Sequence, residues 1–168
     1  MYSTISKEEE QRYAELQMMA LDYARDGNTQ ELELMIKHGM SVNLCTHKDD
    51  SLLMLATYNA NLETSKMLLE FDADINKINQ RGQTPLEGVC FKGNFEMVKL
   101  LIESGAIINR NAIIYAGIFG HKEIVDYLKK QNFDNNQSRV LGINIEFIVL
   151  ITAKLKYLFA KTNKNVGV

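Results

Sequence analysis

Across residues 79–105, NQRGQTPLEGVCFKGNFEMVKLLIESG, apolar and polar positions run through two short helical cycles parted by a glycine. Leu86 and Val89 lie three apart before Gly93, and Met97, Val98, Leu101 and Ile102 share one stripe after it. Thr84 offers an N-cap oxygen, and Pro85 takes the first helical position, where a missing N–H leaves no bond unmade. Gly93 and Gly105 supply the left-handed residues on which helices commonly end. The pattern predicts a hairpin of two helices, the second from about Phe95 to Ser104. Neither helix is long enough to bury its stripe unaided, so the hairpin needs neighbours.

The neighbours recur at a fixed step. The pair Gly93, Asn94 follows Ala60, Asn61 by 33 residues, which in turn follows Gly27, Asn28 by 33. Asn43, Asn76 and Asn109 close the phrases SVN, DIN and IIN, while Met35, Leu68 and Leu101 hold one place in the second helix. With TPLE at 84–87, GNFEMVKLLIESGA at 93–106, LLEFDADIN at 68–76 and GHKEIVDYL at 120–128, the chain resembles the ankyrin-repeat family over about 18–130. It departs at Glu87, where that family usually carries histidine. The resemblance implies an all-α ankyrin-repeat solenoid of about four helix-turn-helix repeats, near 18–44, 45–77, 78–109 and 110–131. It also implies protein recognition without catalysis. A narrower likeness, in SLLMLATYNAN and INQRGQTPLEGVCFKGN, is to small stand-alone bacterial ankyrin proteins. Some of these are encoded beside haem catalases. That likeness admits an accessory or chaperone of a haem enzyme such as catalase, or a bacterial effector acting on host proteins, as alternatives to a plain protein-binding module.

In chain order, Ser6 with Glu9 makes a capping box for an extended N-terminal helix over 7–25. Its polar run KEEEQR predicts a solvent-facing cap for the open end of the stack, or else a docking arm. Repeat one adds a helix at 29–37; repeat two starts on Ser51, with helices through Tyr58 and over 62–70. Complete fingers are expected at 40–50 and 73–83. Repeat four is shortened: 12 residues separate Gly39 from Ser51 and Asp72 from Thr84, but 6 separate Gly105 from Asn111, its expected cap. Beyond it come a linker at 132–139, an extra C-terminal apolar helix at 140–160 and a disordered tail at 161–168. The run NIEFIVLIT would also alternate as a strand, which would need an edge to pair with. Segment 140–160 would seal the last repeat or mediate self-association. Glu146 and Lys154 break its apolar run, so no membrane span is expected.

Composition narrows the function. The chain has 168 residues, 46% hydrophobic and 24% charged, enough for one core. The net charge of −2 is uneven, +3 over 132–168 and −5 before it. An acidic repeat body argues against nucleic acid as a ligand. The polar, acidic start lacks the pattern of a secretory signal, and the two cysteines, Cys45 and Cys90, suit a reducing compartment; a cytoplasmic protein is expected. His38, His47 and His121 are scattered, so no catalytic group assembles and no enzyme activity is expected. No cofactor or metal is assigned, since Cys45 and His47 offer two ligands where a metal site needs more.

The family arrangement implies that the last turns of the first helices line a concave groove. Tyr58, Phe91, Lys92, Tyr115, Ile118 and Phe119 occupy those positions, with His47, Lys48, Lys77, Asn79 and Arg81 on the finger rim. The groove passes from charged at Asp22, Arg25 and Asp26 to aromatic beyond, as expected of a surface that binds a protein partner of unknown identity. Tyr58 and Phe91 could instead pack between adjacent first helices.

Overall fold

The computed structural model describes residues 6–131, 139–140 and 143–144. Eight helices follow one another: α1 Lys7–Asp26, α2 Thr29–Lys37, α3 Leu52–Tyr58, α4 Leu62–Glu70, α5 Pro85–Lys92, α6 Phe95–Glu103, α7 Arg110–Ile118 and α8 Lys122–Lys130. They pair into four hairpins. The first helices α1, α3, α5 and α7 pack each against the next, and second helices stand behind them, α2 against α4 and α6 against α8.

Local chemistry sets the helix ends. Ser6 Oγ accepts from the Glu9 N–H at 3.2 Å while the Ser6 N–H donates to the Glu9 carboxylate at 2.9 Å, completing the expected box. Ser51, Thr84 and Asn94 cap α3, α5 and α6 in the same one-sided or reciprocal manner. The cap of α7 is Asn109, two residues earlier than expected, with its Oδ1 accepting from the Ala112 N–H at 3.0 Å. Two asparagines stood near that start, and the shortened loop leaves room only for the earlier one to turn the chain.

Apolar burial follows the 33-residue step. Leu68 and Leu101, 33 residues apart, are sealed at matching points of α4 and α6, and Leu128 takes that point in α8 after only 27, because repeat four is six residues shorter. Between the first helices runs a buried line of small residues, Ala24, Thr57, Cys90 and Gly117, which lets adjacent backbones approach. Thr57 donates its hydroxyl to the Leu53 carbonyl at 2.8 Å, so its polar atom is satisfied inside that seam. The recurrent asparagines stitch loops together: Asn43 Oδ1 accepts from the Asp74 N–H at 2.8 Å, and Asn76 Oδ1 from the Ile107 N–H at 2.9 Å.

Finger two (73–83) leans on finger one (40–50): the Gln80 N–H donates to the Lys48 carbonyl at 3.0 Å and its side-chain amide to the His47 carbonyl at 2.8 Å. Repeat four carries no finger. Past α8, Arg139–Val140 and Ile143–Asn144 form a short antiparallel ladder, so Val140, Ile143 and Asn144 pair as strand where the helix was expected to begin. The remainder of the expected linker, helix 140–160 and tail lies outside the described residues. Among the described residues no helix is long and apolar enough to cross a membrane.

Candidate functional site

The last turns of α3, α5 and α7 bring three aromatic rings into one row. Tyr58 and Phe91 stack with centroids 6.5 Å apart and planes 15° from parallel, and Phe119 meets Phe91 edge-on at 4.3 Å. The 33-residue step explains the first pair, because Tyr58 and Phe91 occupy one position in successive repeats. Each ring keeps 37–40% of its residue surface open. They pack on one another and still present a face to solvent.

Backbone features hold this ledge. Gly88, inside α5, sits under Tyr58: a Cβ there would stand 3.4 Å from the ring. Gly93 ends α5 at φ 82°, and a Cβ on it would fall 2.2 Å from the His121 ring. That histidine places Nε2 3.2 Å from the Phe91 carbonyl, tying repeat four to the end of α5. Asn61 does the corresponding work two seams earlier, donating to the carbonyls of Ala24 at 3.1 Å and Arg25 at 2.8 Å. His121 therefore serves as an inter-repeat tie.

Charge is distributed unevenly along the ledge. Lys92 holds its ammonium 4.6 Å from the Tyr58 ring centroid, a cation–π contact beside the aromatic row. Arg81 reaches Asp50 at 3.5 Å but stays 67% exposed, and Arg25 pairs with Asp22. Between fingers and helices, Arg25, Met54, Leu55, Tyr58, Arg81 and Phe91 border a trough of about 470 Å³. A second trough of about 600 Å³ opens between α1 and finger one, bordered by Met18, Leu21, Cys45 and His47.

The expected site residues thus divide. Tyr58, Phe91, Lys92 and Phe119 come together on an exposed ledge; Ile118 and Tyr115 are half-buried, Tyr115 against the core. His47, Lys48 and Arg81 are exposed on the fingers and Lys77 is half-buried. Asn79 is a correction: it is 4% exposed and cannot serve the rim. Its Oδ1 accepts from the N–H groups of Arg81 and Gln83, and its amide donates to Asp50 at 2.7 Å, so it folds finger two and pins it to finger one. The chain NQRG around it carries the signal, an asparagine whose oxygen can bond the backbone two residues on.

Glu87 was overlooked as well. It is 1% exposed, accepts from the Thr84 N–H at 3.1 Å, and receives the Asn109 side-chain amide at 2.6 Å. The spacing T-x-x-E from Thr84 announces the capping half of that role. Burial pushes the Cys90 thiol up to about 12, and burial also raises the half-buried Cys45 thiol, with Lys77 opposing. Cys45 donates to the Asn43 carbonyl at 3.2 Å, and the pairing of Cys45 with His47 finds no third partner: among the described residues no group of three or more His, Cys, Asp or Glu is placed to hold a metal ion.

Comparison with known proteins agrees with this geometry. The family model for ankyrin repeats (3 copies) matches residues 53–139. An ankyrin repeat protein of Pseudomonas aeruginosa is 48% identical over 46 residues, 27% of each chain. The crystal structure of the human ASB11 ankyrin repeat domain superposes with a TM-score of 0.62 at 30% identity, covering 68% of this chain and 54% of that one. The chain therefore spans about a quarter of the curated relative and about half of the solved domain in these matches. With the period, the hairpins and the family model in agreement, the chain belongs to the ankyrin-repeat family, whose stacked hairpins are a scaffold for protein–protein interaction.

Proposed function

We propose that this chain is a non-catalytic module that binds a protein partner on its concave face, with the ledge of Tyr58, Phe91 and Phe119 as the anchor. The observation that carries the reading is the three-ring row left open to solvent beside Lys92 and the adjoining trough. Half-open rings can be desolvated by a partner, and binding energy concentrates on such residues when a polar rim excludes water around them. His47, Lys48 and Arg81 supply that rim. An interface of standard size, about 800 Å² per partner, would need the ledge and both fingers together.

The test is affinity capture from lysate of the source cells with the wild type, Phe91→Ala and Lys92→Glu, read by mass spectrometry and by melting. A partner retained by the wild type and lost by both variants supports the ledge. Lys92→Glu leaves the core untouched, so its helicity and melting should stay unchanged; a partner retained equally by both variants sinks the proposal.

A further inference from the structure

The place where repeat four lacks its finger is itself a surface with a defined chemistry. Finger one shows what a finger edge normally does. Its His47 and Lys48 carbonyls receive the side-chain amide and backbone N–H of Gln80, and Cys45 between these bonds and Asn43 is half-covered. Stepping on by 33 residues, Gln80 and Arg81 hold the corresponding edge of finger two, and Ile78 corresponds to Cys45. No third finger follows, and Ile78 stays 58% exposed. Ile107 is 65% exposed, and its N–H bonds Asn76, two residues before Ile78, which brings the Ile107 loop to the base of finger two on the side where, among the described residues, no further finger stands. At these positions the preceding repeat has Cys45 and Asp74, neither of them a large apolar residue.

The loops around the slot carry Lys77, Arg81 and Arg110, and no Asp or Glu occurs over 75–86 or 104–122. The chain before residue 132 is otherwise net acidic, which makes this patch an exception. We infer that the slot vacated by the missing finger binds an extended acidic segment of a protein partner, which adds to the free edge of finger two as finger two adds to finger one. Main-chain donors of that segment reach the Gln80 and Arg81 carbonyls, its apolar side chains cover Ile78 and Ile107, and its carboxylates meet the basic loops. This surface shares Arg81, which also reaches Asp50, with the trough beside the ledge but includes none of the three rings.

A displayed library of random linear peptides, selected on the full chain, tests the inference without a known partner. The expected result is enrichment of peptides that combine Asp or Glu with β-branched residues. Their binding should weaken at least about tenfold, or about 1.4 kcal/mol, in Ile78→Asp and in Arg110→Glu. It should also weaken with salt, and it should be unchanged in Phe91→Ala. Melting of each variant confirms that the array is intact. Selection without acidic enrichment, retention by both slot variants, or loss in Phe91→Ala would overturn the inference. So would a wild-type dimer in sedimentation that Ile78→Asp dissolves, since a second copy of the chain would then occupy the slot.

Discussion

Two lines of residues run side by side through the first helices, one position apart. Ala24, Thr57, Cys90 and Gly117 form the buried seam, whereas Arg25, Tyr58, Phe91 and Ile118 follow them immediately and emerge at the groove. The seam is uniformly small because neighbouring backbones meet there, and a larger side chain would push them apart. The groove line changes from a cation to aromatic rings to an aliphatic residue because stacking of the hairpins does not dictate it. A step of one residue along a helix, about 100° of rotation, separates what specifies the array from what is free to specify a partner.

Chemical modification should separate the two lines most widely. At pH 8 a thiol reagent should label the folded chain at Cys45 and leave Cys90 unmodified until denaturant is added. Labelling of both cysteines at equal rates would show the seam to be open. The same thiol sets an alkaline limit. Its folded value, about 12, lies above the ordinary value of 9.0, so the unfolded chain loses the proton first. The stabilisation is full below pH 9 and falls as pH rises towards 12. Cys90→Ala should flatten that decline in urea titrations.

Next in size, Gly93→Ala should lower stability by about 2–3 kcal/mol, from the left-handed backbone and the displaced His121 bond together. A Tm within a degree of wild type would mean that the histidine simply swings aside. Cys90→Leu should cost about 1–3 kcal/mol by overpacking the seam, with a lower midpoint in denaturant as the readout. Asn61→Ala, which removes the link from repeat two to the end of α1, should cost about 1–2 kcal/mol and accelerate hydrogen exchange at the C-terminal turn of α1. The smallest effect belongs to Arg81→Ala, within about 0.5 kcal/mol, because its ion pair with Asp50 is solvent-exposed.

The helices of the repeats were legible in the sequence to within a residue or two, because period, caps and apolar stripes all agreed. Helix α1 extends one residue beyond its expected end, and the cap of α7 lies two residues before the expected one. The site was legible only in part. Tyr58 and Phe91 could be placed by their common position, but their stacking and the edge-on approach of Phe119 are set by how the hairpins meet in space. Asn79 misled because a polar letter in a loop suggests exposure, while inter-repeat hydrogen bonds can draw such a residue inside; the burial of Glu87 went unread for the same physical reason. Asn79 lies in a finger and Glu87 at a helix start, yet each is satisfied by a partner more than twenty residues away. Such pairings are invisible to local pattern.

The Glu87 carboxylate closes the first turn of its own helix and also receives Asn109, which in turn caps the helix of the final hairpin. Peeling α7 and α8 away would therefore strip an interaction from the hairpin left behind. Fraying from that side is coupled across two repeats, and a pulling experiment on the C-terminal end should release them in a single rip.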